Sequence, residues 1–416
     1  MISLRNPPGK NPPGKTPPSR RSALKVALAL GIGLAAAGPL ALAGPARAQS
    51  AAPIKVGLML PYSGTYAALG EAITNGFNIA LAESGGAPGG REIAIVTLDD
   101  ESDPGKAVPN ANKLIKGEAV DLLVGTVHSG VAMGMVRAVK DSGTLMIIPN
   151  AGAGPATGQL CSPNVFRTSF SNWQPAYPMG DVAYDKGYRK VVTMTWKYGA
   201  GEEAVGGFKE AFTKRGGEIV KEIYVPFPNV EFQANLTEIA ALKPDAVFVF
   251  FAGGGAVKFV KDYAAAGLKG SVPLLGSGFL TEGTLPAQGA DADGILTTLH
   301  YADTLDNPVN KAFRETYKAK FGKEADIYAV QGYDSAKLFL AGLEAVGGDM
   351  SKKDALIKAM EGATIDSPRG AFTISAAHNP VQDIYLREVR NGENVVVGTA
   401  AKALNDPAPG CKMATN

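Results

Sequence analysis

Three turns in this chain place small and polar residues directly after apolar runs. They are Pro61-Tyr62-Ser63-Gly64 after Val56–Leu60, Gly125-Thr126-Val127-His128-Ser129-Gly130 after Val120–Val124, and Pro149-Asn150-Ala151-Gly152-Ala153-Gly154 after Leu145–Ile148. Helical periodicity follows the first two, with Leu69, Ile73, Phe77 and Leu81 spaced by four after the first. Hydroxyls and unpaired backbone N–H groups at helix starts suit one kind of chemistry, the capture of an anion. Catalytic chemistry has no comparable set. The chain has three histidines, His128, His300 and His378, and carries no Gly-x-Ser-x-Gly elbow after a strand, no His-Glu-x-x-His and no phosphate loop. The carboxylates of Asp99-Asp100-Glu101-Ser102-Asp103 lack a partner constellation for acid–base work. They either hold a cation or form a solvated loop in which Asp103-Pro104 caps a helix, and the cap is the reading adopted. The expectation is therefore a binding protein, not an enzyme, with no metal and no cofactor.

The elements that position these turns alternate strand and helix. A first series runs through strands at 56–60, 93–98, 120–124 and 145–148. The Gly-rich turn Gly85 to Gly90 serves as a connector, since its spacing makes no phosphate cradle. A crossing segment at 164–170 leads to a second series, with strands at 191–195, 218–225, 246–251 and 272–275. The chain returns through helices at 308–321, 325–346 and 351–361 and ends in strands at 384–390 and 394–398. This predicts an α/β protein of two doubly wound lobes, with turns gathered at the carboxyl edges of parallel sheets. A ligand would lie between the lobes and hold them shut.

The first fifty residues read as an export signal. Ser19-Arg20-Arg21-Ser22-Ala23-Leu24-Lys25 precedes an apolar run from Val26 to about Leu42, and Ala46-Arg47-Ala48 offers a cut before Gln49. The paired arginines resemble a twin-arginine signal, although Ala23 stands where a bulky residue is usual, so the general secretion route stays open. A retained membrane anchor is the competing reading, weakened by Pro39 within a Gly- and Ala-rich run. Residues 1–48 hold seven of the 41 Lys/Arg and none of the 39 Asp/Glu, which leaves 34 basic against 39 acidic residues, a net of −5, in the mature part. No basic patch argues for nucleic acid. The two cysteines, Cys161 and Cys411, suit one disulfide in an exported protein, the alternative being two free thiols.

The signal, Val56-Gly57-Leu58-Met59-Leu60-Pro61-Tyr62-Ser63-Gly64, Leu123-Val124-Gly125…Ser129, Lys243-Pro244-Asp245-Ala246-Val247 and Gln331-Gly332-Tyr333-Asp334-Ser335-Ala336 resemble the extracytoplasmic solute-binding proteins of branched-chain amino-acid ABC transporters. The match runs in order over nearly all of 54–398. It implies two Rossmann-like lobes joined by three hinge crossings near 170, 300 and 375. Lobe 1 is then 54–170 plus 300–375, and lobe 2 is 171–299 plus 376–398, with a tail at 399–416. It also implies a periplasmic protein, expected to be monomeric, that docks on a membrane permease.

In that family a Ser hydroxyl and backbone N–H groups hold the ligand carboxylate, and the matching positions here are Ser129 and Ala151-Gly152-Ala153. The first-turn wall matches Leu69, with Tyr66 nearby, and Tyr198 matches a tyrosine of the second lobe. Amino-acid binders of the family hold the ligand ammonium with an acidic residue after a second-lobe strand. The aligned turn here reads Gly276-Ser277-Gly278-Phe279, without a carboxylate. A buried ammonium lacking a counter-charge is costly. The expected ligand is a small carboxylate with an apolar or aromatic body, the alternative being a branched-chain or other hydrophobic amino acid. Tyr62, Trp173, Tyr198, Phe251, Phe279 and Tyr301 stand near strand ends or crossings and are expected to line its slot. His128 either donates to the ligand or caps the next helix. A ligand-sensing domain shares this fold, and no fused signalling segment is present to favour it.

Overall fold

Apolar runs without polar alternation form strands covered on both faces. In the computed structural model, which describes residues 52–86 and 88–415, the first series is β1 (Ile54–Leu60), α1 (Ala67–Glu83), β2 (Ile93–Asp99), α2 (Ala107–Asn112), β3 (Leu122–Val124), α3 (Ser129–Ser142), β4 (Leu145–Ile148), α4 (Gly154–Thr157) and β5 (Val165–Arg167). The expected signal peptide and its cut near Ala48-Gln49 lie outside the described residues. The second series is α5 (Tyr177–Asp185), β6 (Lys190–Lys197), α6 (Gly199–Lys214), β7 (Glu218–Pro226), α7 (Gln233–Leu242), β8 (Ala246–Phe250), α8 (Gly253–Ala265), β9 (Leu274–Ser277), α9 (Leu285–Gln288) and β10 (Leu296–Leu299). The return comprises α10 (Pro308–Phe321), α11 (Ile327–Ala345), α12 (Lys353–Glu361), β11 (Thr364–Ile365), β12 (Phe372–Ile374), β13 (Pro380–Arg390) and β14 (Glu393–Leu404). The strand expected over 394–398 is longer because it continues pairing with β13, Ala401 opposite Ile384 and Leu404 opposite Gln382.

The first sheet has the order β2-β1-β3-β4-β5, with every pair parallel. Within the second sheet the parallel run is β7-β6-β8-β9-β10, the same winding, after which β13 adds antiparallel to β10. Each sheet reverses its order beside its first strand, between β1 and β3 and again between β6 and β8. Ligands in such sheets bind at the carboxyl ends next to that reversal. Two lobes of like topology thus present like edges.

The returning helices complete the first lobe. Helices α10 and α11 both pack on α1. Glycines allow α1 and α11 to approach closely: a Cβ at Gly76 would stand 1.8 Å from the Ala329 carbonyl oxygen, and one at Gly332 1.9 Å from that of Ile73. Cys161 and Cys411 form a disulfide with their Cα atoms 5.5 Å apart, closing a separation of 250 residues. The tail also meets the first crossing, where the Ser171 hydroxyl donates to Asp406. Among the described residues no helix is long and apolar enough to cross a membrane.

Gly332→Ala is expected to destabilise the protein by about 2 kcal/mol or more, since backbone has to move to admit one methyl group. Thermal melting of the variant against the parent measures it, and an unchanged melting point would refute the close approach.

Candidate ligand-binding site

Turns from both sheets converge on one slot, with about 310 Å³ of unfilled space counting its mouth. The first lobe contributes Tyr66 and Leu69 after β1, Val127 and Ser129 after β3, Asn150 and Gly152 after β4, and Phe170 and Asn172 after β5. Tyr198 and Ala200 after β6, Phe250 and Ala252 at the end of β8, and Phe279 after β9 form the second wall. Tyr328, in the first turn of α11, completes it.

The polar end is built around Ser129. Its Oγ accepts from Asn172 Nδ2 at 3.3 Å. A hydroxyl carries one proton, so the Ser129 O–H remains to donate into the slot. Gly152 lies beside it and has to be glycine, because a Cβ there would stand 2.3 Å from Asn172 Oδ1 and 2.7 Å from the Phe170 ring. Arg167, fully buried, fixes the loop from behind: its Nη1 donates to the Ala153 carbonyl at 2.8 Å and to that of Ala151 at 3.3 Å, and its Nε donates to Asn379. The Ala151 N–H is already donated to the Thr126 carbonyl at 2.9 Å. Ala151 and Ala153 therefore shape the turn and are not among the lining residues.

Glu203, in the second turn of α6, reaches across from the second lobe. It accepts from the Gly154 N–H at 2.9 Å and from Asn172 Nδ2 at 2.8 Å. Burial pushes its carboxyl up, against the pull of these two donors and of Arg167, while Asp406 adds to the upward push. An acidic group thus stands next to the polar end, although the turn Gly276 to Phe279 holds none. Sequence reasoning missed it because an acid on a polar helix face reads as a solvated side chain.

The apolar end is aromatic. Phe170 and Phe279 lie 4.5 Å apart between ring centres, and Phe279 lies 6.1 Å from Phe250. The Tyr66 and Tyr198 hydroxyls meet across the two lobes at 3.1 Å. Burial raises both phenols, which stay protonated.

Of the expected site residues, Tyr66, Leu69, Ser129, Gly152, Tyr198 and Phe279 come together here. Tyr62 does not: its hydroxyl bonds Thr74 at 2.8 Å on the helix it precedes, and its N–H donates to Asp99. Trp173 turns outward, donating to Glu210 at 2.9 Å and packing on Tyr177. Phe251 is core, against Trp196 and Phe232, and Tyr301 donates to Asn310. His128 caps α3, its Nδ1 accepting the Gly130 N–H at 3.0 Å, with its ring against Tyr198 and Phe227. Asp103 caps its own turn through Gly105. Asp100 is not solvated as expected but buried, where it accepts from Thr126 and the Ser102 N–H, and burial pushes it up to about 6. Among the described residues no group of three or more His, Cys, Asp or Glu is placed to hold a metal.

Burial, opposed by Asp103, pushes His128 down to about 4. The unfolded chain takes its proton near 6.5. The stability contributed by the neutral, capping ring is complete above pH 6.5 and is lost as pH falls toward 4, up to about 3 kcal/mol. Between those values a His128→Asn variant, which keeps a capping side chain, should lose less stability than the parent in denaturant titrations. Parallel curves would exclude the buried neutral ring.

A family model described as periplasmic binding protein matches residues 53–394. A Leu/Ile/Val-binding protein homolog of Brucella melitensis is 36% identical over 360 residues, covering 84% of this chain and 90% of that protein. A solute-binding protein of an ABC transporter from R. palustris, solved in complex with benzoate, is 54% identical, with a TM-score of 0.85 over 86% of this chain and 99% of that one. Another from Rhodopseudomonas palustris HaA2, in complex with p-hydroxybenzoic acid, is 33% identical, with a TM-score of 0.80 over 85% of this chain and 98% of that one.

Proposed function

The chain belongs to the periplasmic binding protein family, and on that premise we propose that it binds a small aromatic carboxylate and delivers it to the permease of an ABC importer. It works in the periplasm after its signal is cut near Ala48-Gln49, as a monomer. The observation that carries the ligand reading is the make-up of the slot: one polar end with a donating serine, and aromatic walls supplied by Phe170, Tyr198, Phe250 and Phe279. The carboxylate takes the Ser129 O–H and backbone N–H groups of the turn at Gly152, in the manner of anions at helix starts. A planar ring fills the remainder, stacked among side chains that offer flat apolar surface. The two solved relatives that hold benzoate and p-hydroxybenzoic acid support this class. Closure of the lobes around the ligand would complete the site, through differential affinity for the closed state.

Glu203 favours a second reading. A carboxylate beside the proposed anion-binding turn would meet an α-ammonium group, and a relative named as a Leu/Ile/Val-binding protein homolog is 36% identical. Calorimetric titration with benzoate and with leucine separates the two. Benzoate is expected to bind and leucine not. Ser129→Ala should weaken benzoate by about 1–2 kcal/mol, roughly 5- to 30-fold, the cost of one hydrogen bond to a charged group. Glu203→Gln keeps an acceptor for Gly154 and should leave benzoate bound at least as tightly. Leucine binding that Glu203→Gln abolishes would establish the amino-acid reading instead.

A further inference from the structure

Three phenols line the slot, and two of them are matched. Tyr66 and Tyr198 bond to each other, whereas the Tyr328 hydroxyl has no hydrogen-bonding partner among the described residues, although its side chain is only 1% exposed. A buried hydroxyl without a partner is unfavourable, and native structures rarely keep one without a use. Its position is over-determined. Tyr328 is the second residue of α11, whose start is capped by Asp326 accepting the Ala329 N–H at 2.9 Å. Its ring lies 6.3 Å from that of Phe279, and the turn at Gly283 passes along its edge. Glu282, pinned by Arg387, also accepts the Ile327 N–H at 3.2 Å, so the preceding residue is held as well. The phenol therefore cannot swing away to find another partner without disturbing the helix start.

The polar end and Tyr328 come from different elements of the first lobe, and Tyr328 packs on the second. Ser129, Gly152 and Asn172 follow β3, β4 and β5, while Tyr328 stands on α11 against Phe279. A ligand whose carboxylate sits at Ser129 has only its ring to present to Tyr328. We propose that Tyr328 is a specificity residue that recognises a hydroxyl substituent on the ring, so that the preferred ligand is a hydroxybenzoate and not unsubstituted benzoate. This rests on the aromatic-carboxylate reading and narrows it. A ring hydroxyl both donates and accepts, so it completes the phenol whichever way the Tyr328 proton points. Burial holds the Tyr328 phenol protonated, so it meets a neutral hydroxyl and not a second anion. Sites built to bond a ligand hydroxyl discriminate against the analogue lacking it, because the protein group is then left unmatched.

The test is calorimetric titration of the parent and of Tyr328→Phe with benzoate, 3-hydroxybenzoate and 4-hydroxybenzoate. In the parent, one hydroxybenzoate is expected to bind about tenfold more tightly than benzoate. In Tyr328→Phe that ratio should fall to about one, through a loss of hydroxybenzoate affinity. The ligand-free variant should melt no lower than the parent, since it loses an unmatched hydroxyl. Equal or tighter binding of benzoate by the parent overturns the proposal, as does a preference that survives Tyr328→Phe. Failure of all three acids to bind, with leucine binding, overturns the aromatic-carboxylate reading and this one with it. Benzoate binding without any preference overturns this one alone.

Discussion

Asp334 and Arg369 form an ion pair at 3.0 Å in which neither side chain is more than 1% exposed, and the cleft is built around it. Asp334 belongs to α11 and Arg369 to the last return between the lobes. Arg369 also donates to the carbonyls of Thr168 and Ser169 in the first crossing and to Gln382 of β13. One turn of α11 makes the other connections. Ser335 bonds Thr168 at 2.7 Å, and Gln331 bonds His300 in the second crossing and Asn150 in the slot. Gln331, Asp334 and Ser335 are spaced by three and four, which puts them on one helix face. All three strands of chain that pass between the lobes are thus referred to a single helical turn. Such a buried pair adds little net stability, because removing both charges from water offsets their attraction. What it does supply is direction: the guanidinium fork accepts only a narrow set of carbonyl positions.

The same helix carries the site. Gly332, within that polar turn, lets α11 lie against the Ile73 carbonyl of α1, and one turn earlier Tyr328 enters the slot. Helix α1 starts with Leu69 close to its N-terminus and Tyr66 just before it. The hinge and the apolar end of the slot therefore share a rigid support. Arg167 does for the polar end what Arg369 does for the crossings: it holds carbonyls of the 151–153 turn from the rear, so that the turn is shaped by a buried charge outside the lining of the slot.

The doubly wound pattern, the convergence of turns at carboxyl edges and the residues Ser129, Gly152 and Tyr198 were legible because each follows an apolar strand in a short turn. Strand topology then leaves the turn residue only one edge to occupy. Tyr62 and Trp173 also stand near such positions, yet their side chains turn to Thr74 and to Glu210. Which way an aromatic points beside a helix start depends on packing that no local pattern records. Asn172 and Phe170 were missed because a crossing segment has no periodicity to read. Tyr328 and Glu203 were missed for the opposite reason: both sit in regular helices, where a tyrosine reads as core and an acid as a solvated residue. Their roles arise only when two lobes distant in sequence are brought face to face.

No lysine or arginine lines the slot, and the nearest acid, Glu203, is held by Gly154 and Asn172. A ligand carboxylate placed there, as proposed, would be met by neutral donors beside a group of its own sign. Asn172 lies between the two: one amide nitrogen donates to Ser129 and to Glu203 at once. Drawing Asn172 toward Glu203 orients the amide so that Ser129 has to use its proton elsewhere. The acid on the second lobe thus orients a side chain of the anion site proposed on the first. Neutral donors also bind a monoanion less tightly than a fixed cation would, which suits a receptor that has to give its ligand up when the lobes part.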